Sequence, residues 1–317
     1  MNQSFLSENT TVSTVIEKRK RFAQLAVAVI IADSLVSGLP LANYVFGLAA
    51  LAFYPVAAFE YGMALVSGMA LLSTGIALII GGFANLFALV IPITLPGLIL
   101  SKMMLKRESP SKVIIWSFLP AFVLVILFLL NKAEYEADFN NAIKGTIADF
   151  PQLFSGKGNA EQSMLSYGRA VFSLIPALML LSELFNVLIG YWVGRKVLLK
   201  SGYGYNDVPT LPPFSAWRPD YRLVGLFITG LFFTVLQLGG SDYIGWNVLA
   251  FTGIIYFISG LAVVENFFRR SKIPIFFKLL FYLGIFFAQL FSLVVLAGVG
   301  LFDSWFNFRN RRVEKKV

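Results

Sequence analysis

Four side chains carry a charged or amide head within otherwise apolar surroundings: Asp33, Asn85, Glu183 and Asn186. A carboxyl inside an apolar helix is costly unless it is paired or wetted, so Asp33 and Glu183 are candidates for contact with a ligand. Glu183 and Asn186 stand three apart, on one face of a helix, and Ser182 beside them would extend a polar strip inward. The chemistry within reach of these groups is hydrogen bonding and charge pairing, which suits recognition of a polar solute. The same groups can equally hold helices together, and the residues alone leave both readings open.

Covalent and acid–base chemistry is poorly provided for. The chain has neither histidine nor cysteine, which removes imidazole bases, thiol nucleophiles, disulfides and the usual zinc ligands. It has no G-x-x-x-x-G-K-[ST] or H-E-x-x-H, and "FSGKGNAE" lacks the spacing and the preceding strand of a phosphate loop. Asp33 has no second buried aspartate with which to form an intramembrane pair. The expectation is a protein that is not an enzyme and holds no cofactor. Any transport it served would draw on an ion gradient or on a partner's ATP.

The elements that must position these groups follow from composition. Of the 317 residues, 57% are hydrophobic and only 14% charged, against roughly 45–50% and 25% in soluble domains. That is more apolar surface than one soluble core hides, and uncharged runs recur at lengths suited to a bilayer, where a span takes about 20 residues. The class is an all-α polytopic membrane protein. Spans are expected at about 22–38, 43–59, 61–80, 84–101, 113–131, 169–194, 223–239, 243–266 and 274–302, nine in all. The start, "EKRKRFAQLAVAVIIADSL", is laid out like a signal peptide without a clean cleavage site, and reads as an uncleaved anchor.

Lys and Arg near span ends are held on the cytoplasmic side. Alternate sides of this path carry Lys18 to Arg21, then Lys102, Lys106, Arg107 and Lys112, then Arg195, Lys196, Lys200, Arg218 and Arg222, then Arg269, Arg270, Lys272 and Lys278; the other side has only Lys132, Lys144, Lys157 and Arg169. The rule places the tail 1–21 inside the cell and the polar, partly helical loop 132–168 outside, in a bacterial cytoplasmic membrane. The net charge of +9 is thereby assigned to cytoplasmic loops and not to nucleic acid. One conflict remains: nine crossings put the basic tail 303–317 outside. Either the rule fails there, or the last stretch, with Pro274 and Gly284, does not cross simply.

Two six-span and three-span blocks, 22–194 and 222–302, are joined by the linker 195–221, which runs into "LPPFSAWRPDYR" (211–222). Its prolines break helix structure, and Trp217, Arg218, Tyr221 and Arg222 suit the headgroup level, rings partly buried and charges in water. The segment "FFRRSKIPIFFK" is likewise basic and aromatic, as interfacial segments are. Ala28 with Ala32, and Ala64 with Gly68, would allow close helix approach.

Three stretches, "LPPFSAWRPDYR", "GLAVVENFF" (260–268) and "GLFDSWFNFR" (300–309), resemble signatures of the YybS-like bacterial membrane proteins, a family of unknown function, over most of the chain. Trp217, Arg218, Asp303 and Arg309 are the motif positions expected at an interface or partner surface. The amino-terminal half, with "YGMALVSGMALLS" and "LPGLIL", is similar in layout to the substrate-binding S-components of energy-coupling-factor vitamin transporters. That likeness implies a six-helix bundle taking a small solute from outside, and docking through Ala28 and Ala32 to a membrane coupling subunit that works with an ATPase. The long outer loop and three extra spans depart from the pattern. Two functions are weighed: a solute-binding, transport-associated component using Asp33, Asn85, Glu183 and Asn186, and a membrane scaffold or assembly factor without a ligand.

Overall fold

The computed structural model describes residues 3–37, 39–150, 160–236 and 240–310. Every regular element among them is helical: α1 (Gln3–Leu35), α2 (Pro40–Leu89), a π-helical turn (Val90–Thr94), α3 (Leu95–Leu105), α4 (Pro110–Phe118), α5 (Ala121–Leu130), α6 (Lys132–Asp149), α7 (Ala160–Ser173), α8 (Ile175–Ser201), α9 (Arg222–Leu236), α10 (Ser241–Arg270) and α11 (Ile275–Phe306). Five stretches are long and apolar enough to cross a bilayer: Ala42–Leu105, Pro110–Leu130, Ile175–Ser201, Ser241–Arg270 and Ile275–Phe306. Arg222–Leu236 is apolar but shorter, about 22 Å at 1.5 Å per residue. Large apolar side chains point outward, among them Ile79 at 85% and Ile275 at 81% exposure, which water would penalise and hydrocarbon does not.

The chain forms two compact units, Met1–Lys132 with Met179–Leu211, and Ala133–Leu178 with Pro212–Val317. In the first, the 64-residue run Ala42–Leu105 would be about 96 Å long as one rod. It does not stay straight. Gly62 (φ 78°) and Gly82 (φ 66°) sit in the left-handed region that only glycine enters freely, and Pro92 falls inside the π turn, where a proline has no N–H for the ladder. The run therefore doubles back. Gly97 lies under the Tyr54 ring and Gly47 against Ile93, while Ser73 Oγ donates to Ile30 O at 3.4 Å on α1. On α8, Gly190 and Gly194 sit directly on Leu51 and Ala52 of α2, the small-residue spacing that lets helix backbones touch. The resulting core gathers Ala26, Ile30, Tyr54, Val66, Leu100, Val187, Tyr191 and Leu198.

In the second unit, α6 and α7 pair through Phe139 and Phe172, their rings 5.4 Å apart, so most of the polar stretch 132–168 is helical; residues 151–159 lie outside the described residues. The chain breaks at Leu174 between α7 and α8. There the Asn247 amide accepts from Ala177 N at 2.9 Å and donates to Ser173 O at 2.7 Å. Gly260 of α10 and Gly300 of α11 cross backbone to backbone.

The ninth expected span does not cross simply. Gln289 of α11 has φ 35° and ψ −108°, and Ser292 Oγ donates to Ile285 O at 2.8 Å, seven residues back, where a continuous helix allows only three or four. Unbroken, α11 would hold residues 278 and 303 about 37 Å apart. Instead Lys278 pairs with Glu265 at 3.2 Å, and Arg309, paired with Asp303, reaches Ser259 at 3.2 Å, one and a half turns from Glu265 along α10. α11 thus folds back at Gln289, and its two ends lie at the same end of the unit.

Candidate functional site

The expected polar residues divide between two places in the first unit. A cleft of about 260 Å3 opens between α2, the π turn and α8, lined by Asn43, Tyr44, Gly47, Pro92, Ile93 and Asn186 among others. Tyr44 OH approaches Asn186 Oδ1 at 3.5 Å. Asn186 also hydrogen-bonds Glu183 one turn earlier, a side chain 2% exposed whose Oε1 has no hydrogen-bond partner. Ser182 is exposed and takes no part in the strip. Asp33, 1% exposed, does not line the cleft; it stands behind the wall, its Oδ1 3.4 Å from the point a Cβ on Gly47 would occupy. That oxygen is also without a hydrogen bond, as is Asn43 Oδ1. Asn85 is placed elsewhere, its amide 3.4 Å from Ser37 Oγ at the end of α1.

No lysine or arginine lines the cleft. The first unit's basic groups converge instead on residues 202–210. Arg19 donates to Gly202 O at 2.7 Å and covers the Tyr203 ring at 4.2 Å, Arg107 pairs with Asp207 at 2.7 Å, and Arg195 bonds Thr210 at 2.6 Å. Three charge groups that the sequence assigns to one side of the membrane thus meet on one segment. Tyr203 donates to Glu60 at 3.0 Å; burial first, and that carboxylate second, push the phenol up to about 12. Of the two alanines expected on a docking face, Ala28 is exposed on α1 and Ala32 is half-buried; Ala64 and Gly68 are exposed.

The motif residues of the second unit form an ionic knot. Asp303 is fully buried, with Arg309 Nε 3.1 Å from its carboxylate and Arg218 Nε at 3.9 Å. Arg218 also donates to the carbonyls of Asp303 and Ser304 at 2.7 and 3.0 Å, capping the end of α11. Arg309 reaches Ser215 O at 3.1 Å and Ser259 O at 3.3 Å. Burial lowers the Arg309 guanidinium below its ordinary value, and the Asp303 carboxylate opposes that shift. Trp217 folds onto Phe214 and donates to Pro212 O at 2.8 Å. The hydrogen bonds of Trp217, Arg218 and Arg309 are thus made within the unit.

The reading from sequence missed Asn43, Tyr44 and Asn247. Asn43 and Tyr44 open the second apolar run just after Pro40, where an amide and a phenol look like interface residues. Among the described residues no group of three or more acidic side chains is arranged to hold a metal.

Several long apolar helices with outward apolar side chains define a multi-pass helical membrane protein. Residues 25–304 match the family described as "Predicted membrane protein (DUF2232)", a family of unknown function, and the chain belongs to it. No curated protein and no solved structure matches the chain. The comparisons bring out no energy-coupling-factor component.

Proposed function

We propose that this chain is a small-solute-binding component associated with transport, with its solute in the cleft between α2, the π turn and α8. The observation that carries this reading is the set of buried acceptors at the cleft, Asn43 Oδ1, Glu183 Oε1 and Asp33 Oδ1, none of which has a hydrogen-bond partner. Unmet polar groups are expensive at membrane depth, so a site built this way gains from a ligand that meets them. Asn186 and Tyr44 line it, and Asn85 lies farther off, near the end of α1. The lysine and arginine distribution places the protein in a bacterial cytoplasmic membrane with its amino terminus inside. A coupling subunit and an ATPase are the partners this reading allows, Ala28 on α1 being free to face one.

Native mass spectrometry from mild detergent tests it: a retained small solute, with or without a protein partner, is the expected result. Bare protein under conditions that keep lipid bound would count against it. The scaffold reading rests on a different observation, the knot that fixes 215–218 to α10 and α11 while Tyr221 and Arg222 stay exposed. On that reading Glu183→Gln leaves cellular function intact and changes at Tyr221 and Arg222 abolish it; solute binding expects the reverse.

A further inference from the structure

Resting on the solute-binding reading, we infer that the cleft takes a small primary alkylammonium ion and excludes anions. The argument is a count of donors and acceptors. Three oxygens at or just behind the cleft wall, Asn43 Oδ1, Glu183 Oε1 and Asp33 Oδ1, are buried acceptors without a hydrogen bond. The hydroxyl of Tyr44 is directed at Asn186 Oδ1, and the Asn186 side chain is bonded to Glu183. The surplus is therefore of acceptors, two of them on carboxyls, and an ammonium group brings three N–H donors and a compensating charge. A carboxylate or phosphate solute would meet two acidic side chains and no lysine or arginine. A neutral solute rich in carbonyls would leave all three oxygens unmet.

The rest of the wall speaks for an alkyl body. Leu48, Leu51, Ala88, Pro92 and Ile93 complete the lining, and a volume of about 260 Å3 equals about nine waters at 30 Å3 each. A bare metal ion fits less well, because hard cations take six or more oxygens and no cluster of three acidic groups is present among the described residues. Gly47 has a part in this. A side chain there would run into Ile93 and come up against Asp33 Oδ1, closing the wall that separates that oxygen from the cleft.

Isothermal titration calorimetry on the full chain in nanodiscs, with butylammonium, butan-1-ol and butyrate as probes, tests the class of solute. Butylammonium is expected to bind at least ten times more tightly than butan-1-ol, with butyrate silent. Glu183→Gln and Asp33→Asn should each weaken butylammonium tenfold or more. Asn43→Asp, which adds acceptor charge at the cleft lining, should tighten it, a gain that misfolding cannot imitate. Butan-1-ol or butyrate binding as well as butylammonium would overturn the cation while leaving a solute site standing. A solute retained in native mass spectrometry that lacks an amine would do the same. Silence from all three probes together with bare protein in native spectra would bring down both readings.

Discussion

Asp303 shows how little freedom a buried charge has. It is completely shielded and depends on Arg309 at 3.1 Å, with Arg218 at 3.9 Å as a second, looser partner. Removing one member of such a pair leaves the other charge uncompensated, at a cost of about 3–5 kcal/mol, whereas replacing both with apolar groups of similar size is often neutral. Asp303→Asn is accordingly expected to lower the thermal unfolding midpoint in detergent markedly, and Asp303→Leu with Arg309→Met to recover most of the loss. Equal losses in the single and double variants would show that the knot contributes through something other than charge pairing. Glu183 makes a useful contrast: it has an amide neighbour but no cationic one, so Glu183→Gln should leave the midpoint within about 0.5 kcal/mol of wild type, as for a change that breaks no pair. The sequence marked both acids, because a carboxyl in an apolar run stands out. It could not separate them: Glu183 reads from its own helix, whereas Asp303 is defined by partners at Arg309 and Arg218, the latter 85 positions away in the chain.

Elements were legible in the sequence wherever apolar length decides them, and misread where a single residue redirects the chain. The break near Gly81 and Gly82 is visible as a glycine pair, and Gly82 does take a positive φ. The reversal of α11 has no such marker. It falls at Gln289, an amide in an apolar run, while Gly284, the residue that looked like the weak point, stays helical. The fold-back is favoured by packing that a linear reading does not contain: Gly300 lies against the Tyr256 carbonyl and Gly260 against that of Leu296, so the second half of α11 sits on α10. Spin labels on Phe276 and Trp305, both exposed, should therefore give a dipolar distance well short of the roughly 43 Å of a straight helix. The absence of native cysteines makes the labelling clean. Gly260→Leu should lengthen that distance or destabilise the protein, because a side chain there would collide with backbone. An unchanged distance and stability would show that this crossing does not hold the hairpin.

At the scale of the whole molecule, charge distribution and fold meet over the carboxyl-terminal tail. Counted as one crossing, α11 would send Arg309 and the basic residues after it to the side opposite Arg218 and Arg269, against the bias that the earlier loops obey. The reversal at Gln289 removes the conflict, because Arg309 ends beside Ser215, which Arg269 also contacts at 2.9 Å. Residues 311–317 lie outside the described residues, but the distance they can cover is bounded. From Asn310 to Lys315 the chain spans at most about 18 Å fully extended, short of the 30 Å hydrocarbon layer. Arg222→Cys and Lys315→Cys should hence react with a membrane-impermeant maleimide from the same side of sealed vesicles. Labelling from opposite sides would mean that α11 crosses once, and that the ionic knot at Asp303 does not form in the bilayer.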